Sequence, residues 1–236
     1  MQAFLQFMGH GFCHQLASRS FEAGGLIFSV CARDTGIYLG FFFVMLVTFV
    51  LYARVREKPA ELPPVWYLIV LVFFLVPMAF DGITSYLGLR STTNVIRYLT
   101  GFPTGMALGT LVVPLLFALC KDSDPKKRIL SKPSHIAIQL GATLVLGVAF
   151  LLGYPFLGVI SPFLVVVAFL AILLSVNLVI ITLSKRMAPR HTLKHWCLLL
   201  AICLVMAFAE ITLFGLLREA ALNLLAGGQD LLQLLP

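Results

Sequence analysis

Charge is scarce in this chain. Only 11% of its 236 residues are charged, and acidic residues number 10. An ordinary soluble domain carries about 25%, so a soluble globular protein is excluded. Cysteine is also sparse, at 5 residues, too few for a disulfide scaffold. Cys120, Cys197 and Cys203 fall in or beside apolar runs, where they read as small packing residues. The first residues lack a basic segment and a small-residue cleavage site, so no cleavable leader is expected. No internal repeat and no low-complexity segment is visible.

Apolar sequence fills the space that charge leaves. Hydrophobic residues make up 60% of the chain and the mean hydropathy is +1.01. Runs long enough to cross a bilayer, which takes about 20 residues each, stand at 36–53, 65–81, 102–120, 135–154, 159–184 and 195–217. The expectation is an all-α fold: one polytopic transmembrane bundle of six helices occupying residues 1–236. Residues 1–35 form an interfacial segment, the spans occupy 36–217, and 218–236 form an apolar-sided tail along the interface. Residues 1–9 are too short to span. Gly141, Gly147 and Gly153 on the fourth span would allow close helix packing.

The net charge of +7 suggests topology before nucleic acid, because the basic residues sit in short loops. Loops 54–64, 121–134 and 185–194 hold 12 of the 17 Lys and Arg residues. The others are Arg19, Arg33, Arg90, Arg97 and Arg218. The basic side is expected to face the cytoplasm. Both termini and the two polar stretches below would then lie outside the cell membrane.

Polar chemistry concentrates in HGFCHQLASRSFEAGGLIFSVCARDTGIY at 10–38 and FDGITSYLGLRSTTNVIRYLTG at 80–101. Cys13, His14, Cys31 and Asp34 are a candidate metal set, since sulfur, imidazole and carboxylate are the usual zinc ligands. Cys31 and Asp34 are one helical turn apart. A Cys13–Cys31 disulfide is the rival reading, and plain packing a third. His10 reads as a solvated interfacial residue. Arg19, Arg33, Arg90 and Arg97, with Ser20, Ser91, Thr92 and Asn94, would cradle a phosphate or carboxylate. Snorkelling to the interface, or pairing with Glu22, Asp34 or Asp81, is the alternative. Asp81, at a membrane boundary, is a metal ligand, a general base or an arginine partner. Glu210 is expected to face the bundle, and Asn177 and Gln139 to bond between helices.

Four stretches carry a family resemblance: Cys13-His14-Gln15, Arg19-Ser20-Phe21, the run from Cys31-Ala32-Arg33 through Thr35-Gly36-Ile37-Tyr38 to Gly40, and Phe80-Asp81-Gly82-Ile83-Thr84. Over roughly residues 9 to 110 the chain resembles a bacterial and archaeal membrane-protein family catalogued as domain of unknown function 2085. In that family the position of Asp34 is usually cysteine and that of Ser85 usually glutamine. Aspartate can replace cysteine as a zinc ligand. The family name supplies no reaction.

The residues themselves suggest a metal-dependent hydrolase or transferase at the outer membrane boundary. Cys13, His14, Cys31 and Asp34 would hold a divalent metal, zinc first. Asp81, Arg33 and Arg90 would act in catalysis, and Arg19, Ser20, Ser91, Asn94 and Arg97 would bind a phosphorylated lipid or amphiphile. A transporter or channel, or an accessory subunit of a larger membrane complex, are the other classes. Scarce charge within the spans and the lack of an inverted repeat argue against transport.

Overall fold

A computed structural model describes residues 1–183 and 193–233, with side chains described for 1–183 and 194–225. Lys185, Arg186 and Arg190, counted above with the third basic loop, lie outside the described residues. Six helices are long and apolar enough to cross a membrane: Ala32–Leu51, Val65–Tyr86, Asn94–Phe117, Pro133–Gly153, Ile160–Leu183 and Lys194–Leu225. The chain is therefore a multi-pass helical bundle, as its apolar runs imply.

Two of these helices form the centre, α2 (Ala32–Leu51) and α5 (Asn94–Phe117). In lipid no hydrophobic force pulls helices together, so close backbone packing at small residues must do it. Gly36 and Gly40 on α2 face Gly101, Gly105 and Gly109 on α5, all spaced at four. A Cβ on Gly105 would stand 1.9 Å from the Ile37 carbonyl oxygen, and one on Gly40 would stand 2.2 Å from that of Phe102. Only glycine permits these approaches. Of the fourth-span glycines, Gly147 allows a close approach, since its Cβ would stand 2.3 Å from the Phe102 ring of α5, whereas a Cβ on Gly141 or Gly153 meets nothing within 4 Å.

The second span is two helices, α3 (Val65–Phe73) and α4 (Val76–Tyr86). Pro77 removes one backbone donor at the break, and the Thr104 hydroxyl donates to the Phe74 carbonyl there (3.4 Å). Only 11% of this span is buried against protein. Around the central pair stand α6 (Pro133–Gly153), α7 (Ile160–Leu183) and α8 (Leu193–Gln233). Gln139 donates to Thr48 (2.7 Å) and accepts from Tyr67 (3.0 Å), and Asn177 donates to Glu210 (3.2 Å). These are the interhelical roles expected of Gln139 and Asn177, and Glu210 faces the bundle.

Helix α8 has 41 residues, about 60 Å of helix against a hydrocarbon core of roughly 30 Å. The segment after 217 thus continues the sixth span without a break as far as Gln233. At the N-terminus, α1 (Gln2–Gly9) sinks Leu5 and Met8 among Val166, Phe169 and Ile211 of α7 and α8. Strands β1 (Glu22–Ala23) and β2 (Leu26–Ile27) form an antiparallel hairpin before α2. At the far end of α2, β3 (Lys58–Glu61) pairs in parallel with β4 (Ser123–Arg128), tying two basic loops together.

Candidate functional site

The site begins with a hook of chain from His10 to Cys31. The hairpin turn at Gly24 and Gly25 has φ of +59° and +72°, a geometry glycine adopts without strain. The turn sends the chain back towards α1. Gln15 then fastens the hook: its side-chain amide donates to the Gln6 carbonyl (2.7 Å) and the Ser29 carbonyl (2.9 Å). Arg218 of α8 fastens the other side, donating to the carbonyls of Cys13 (2.7 Å) and His10. These contacts seat Cys13 against the start of α2, where the Cys31 backbone N–H donates to the Cys13 sulfur (3.1 Å).

Cys31 is the N-cap of α2, and its thiol donates to Asp34 Oδ2 (3.2 Å), one turn on. One ligand atom from each of Cys13, Cys31 and Asp34 lies within 4.8 Å of the other two. Both cysteines are free thiols. Two sulfurs and a carboxylate oxygen at this spacing form a donor set of the kind zinc uses, and three protein ligands leave a fourth position open. His14 is exposed and stands outside this group. His10 faces Glu219 on α8, with Nε2 3.3 Å from Oε1.

The two thiols differ. The hydrogen bond from Cys31 holds the Cys13 thiol below its ordinary pKa, while burial and the Asp34 charge act the other way. Cys31 is pushed up by that same bond, by burial and by Asp34. The pair therefore deprotonates at Cys13 first.

Arg33 joins this cluster to the second polar stretch. It precedes Asp34 on the first turn of α2, and its guanidinium donates to Asp81 Oδ2. Arg90 donates to Asp81 Oδ1 and, through Nε, to the Thr84 hydroxyl (3.2 Å). Asp81 is fully buried between them. A lone carboxylate there would be costly; two arginines make the triad cationic instead. Arg97, on α5, lies within electrostatic reach of Arg19, Arg33, Cys31 and Asp81. The Arg33 Nε is buried and has no hydrogen-bond partner. Beside Arg33 a groove of about 500 Å³ runs along α4 past Met78, Gly82 and Tyr86.

The remaining candidates divide. Ser20 donates to the Leu16 carbonyl (3.1 Å), and Asn94 donates to the Ser20 carbonyl (3.0 Å) while accepting from Arg97 (3.2 Å). The Ser20 hydroxyl closes a turn within the hook, and the Asn94 amide holds the hook to α5. Arg19 and Ser91 are exposed. Sequence reasoning gave no role to Gln15 or Arg218, which set the position of Cys13. Gln15 sits inside the Cys-His-Gln signature, and that was the signal for it. Nothing near Arg218 in sequence marks its contact 205 residues away.

Known proteins place this region in a family. The chain is 38% identical over 108 residues to an uncharacterized protein of Methanocaldococcus jannaschii, a match covering 45% of this chain and 65% of that relative. It is 36% identical over 99 residues to an uncharacterized protein of Methanothermobacter thermautotrophicus, covering 42% of this chain and 82% of the relative. No solved structure matches. The family model described as "Predicted membrane protein (DUF2085)" matches residues 13–111, a stretch holding both polar clusters. The chain belongs to this family of membrane proteins, whose function is unknown.

Proposed function

We propose that this multi-pass membrane protein holds a divalent metal, zinc first, at Cys13, Cys31 and Asp34, and acts as a hydrolase or transferase on a phosphorylated lipid or amphiphile. The observation that carries the reading is the convergence of those three ligand atoms within 4.8 Å, next to Arg33 in sequence. A bound metal would supply a Lewis acid for a phosphoryl or ester oxygen.

The chain's own residues do the rest. Arg33, with its unpartnered Nε, and Arg97 hold the anionic headgroup; Asp81 fixes the guanidinium planes of Arg33 and Arg90. Buried donors of this kind are normally satisfied, so a free one beside a cluster of arginines that Asp81 only partly neutralises fits an anion. The groove along α4 gives the acyl tail a place next to the head. Positive-inside topology puts this end of the bundle, with both termini, on the outer side. His14 is left out of the ligand set.

Elemental analysis of protein purified in reductant tests the reading. About one zinc per chain is expected. Cys13→Ser, Cys31→Ser and Asp34→Asn should each lower it sharply, because three ligands become two. His14→Ala should leave it unchanged. Asp34→Cys should retain zinc or hold it more tightly, thiolate being the softer donor. Reduced wild type that carries no metal, and forms a Cys13–Cys31 bond on oxidation, would overturn the metal in favour of a redox dithiol. The arginine cradle is tested separately: Arg33→Gln should reduce retention of a phosphorylated lipid relative to a zwitterionic one of equal chain length.

A further inference from the structure

The opposite end of α2, about 30 Å from Cys31 by helix rise, carries a second constellation that the proposed function does not use. Where α2 ends and α6 begins, Tyr52, Arg56, Lys127, Arg128, Lys132 and His135 line a cavity of about 570 Å³. Topology explains why basic residues gather at this end. It does not require them to wall a cavity.

Two features make the walls rigid. The parallel pairing of β3 with β4 fixes the two basic loops against each other. Tyr52 anchors the floor: its hydroxyl accepts from the Leu130 backbone N–H (2.8 Å) and bonds to His135 Nδ1 (3.2 Å). When that hydroxyl donates to Nδ1, a neutral His135 ring carries its proton on Nε2 and can donate from there.

Charge in the cavity is only partly balanced. Lys127 pairs with Glu57 and with Asp124 (3.7 Å), and Arg128 with Glu61 (3.0 Å). Arg56 and Lys132 have no ion-pair partner among the described residues. On its other side Arg56 borders a separate cavity with Asp122 and Asp124, neither within ion-pair distance of it. Four basic side chains thus wall a cavity in which Glu57 is the one acid.

We infer that this cavity is a second binding site, for a phosphate monoester group, held by Arg56, Lys132 and His135. An arginine fork and an ammonium match the oxygens of a phosphate dianion. The group could belong to a lipid headgroup such as phosphatidate or to a free phosphate, since the cavity lies where two spans end. This site is independent of the metal reading, because it shares no residue with it.

The test uses full-length protein in zwitterionic nanodiscs with ¹⁵N-histidine labelling, and follows the His135 ring signals, assigned by their loss in His135→Gln. Inorganic phosphate, short-chain phosphatidate and phosphatidylcholine of the same chain length are titrated in turn. Phosphate or phosphatidate should shift His135 saturably while phosphatidylcholine leaves it unmoved. A response to phosphatidate alone identifies a lipid headgroup, and an equal response to inorganic phosphate a free ion. Arg56→Gln and Lys132→Gln should each weaken the response about tenfold, the loss of one charge-assisted contact. Glu57→Gln should strengthen it by removing a negative charge from the cavity wall, an effect a merely damaged fold would not give. If neither phosphate form shifts His135, or if phosphatidylcholine shifts it equally, no such site exists.

Discussion

Asp81→Asn is the most informative single change, because Asp81 is the buried polar anchor of a span that otherwise hardly touches the protein. Its side chain is 0% exposed, and its partners Arg33 and Arg90 are 17% and 39% exposed. The two pairs are not equal. Arg90 is open enough that its pair is worth at most about 1 kcal/mol. Arg33 is enclosed, and breaking a buried pair by removing one partner costs about 3–5 kcal/mol. Asparagine keeps one carbonyl acceptor, which favours the lower end, so a loss of about 3 kcal/mol is expected. Since only 11% of the span is buried, packing offers little compensation.

Reversible unfolding in mixed micelles, followed through Trp66 on α3, measures that loss. Hydrogen exchange should quicken across α3 and α4 before the central pair is affected. A double-mutant cycle with Arg33→Gln isolates the pair, and the coupling should be about 1.5–3 kcal/mol. Arg90→Gln should couple more weakly. A coupling to Arg33 below about 0.5 kcal/mol would refute the claim that this ion pair holds the span.

Other outcomes follow from particular contacts. Gly105→Ala should strongly lower the unfolding temperature, since its Cβ would lie 1.9 Å from the Ile37 carbonyl, whereas Gly141→Ala, with nothing within 4 Å, should be nearly neutral. Gln15→Ala removes two side-chain bonds and should cost about 1–3 kcal/mol, with a matching fall in bound metal as Cys13 loses its seat. In chelated, reduced protein a small alkylating reagent should modify Cys13 at lower pH than an ordinary thiol, because Cys31 donates to its thiolate. Cys31→Ala removes that donor and should move the profile of Cys13 back up, as mass spectrometry of timed quenches would record.

Length and hydropathy made the six spans legible, because hydrocarbon accepts little besides a long apolar helix. Their ends were harder to read. Asn94 and Arg97 look like loop residues, yet Thr93 caps α5 by accepting from the Ile96 N–H (3.3 Å), so both sit on its first turn. Of the three fourth-span glycines expected to allow close packing only Gly147 meets a neighbour, since glycine spacing alone does not say which stripe faces a partner. The neighbourhood of Cys13, Cys31 and Asp34 was visible in the type and spacing of the residues. His14 was not separable from them by sequence: it adjoins Cys13, but Gln15 takes a positive φ of 52° and the chain turns there. The meeting of Arg33 with Asp81 across 48 residues was expected only from the cost of leaving either charge alone.

The central claim is that Cys13 and Cys31 share a metal with Asp34. X-ray absorption at the zinc edge of the reduced, zinc-loaded protein tests it most directly. The account predicts two sulfur neighbours at about 2.3 Å with oxygen at about 2.0–2.2 Å, and one sulfur in Cys13→Ser. A first shell of nitrogen and oxygen alone would contradict it.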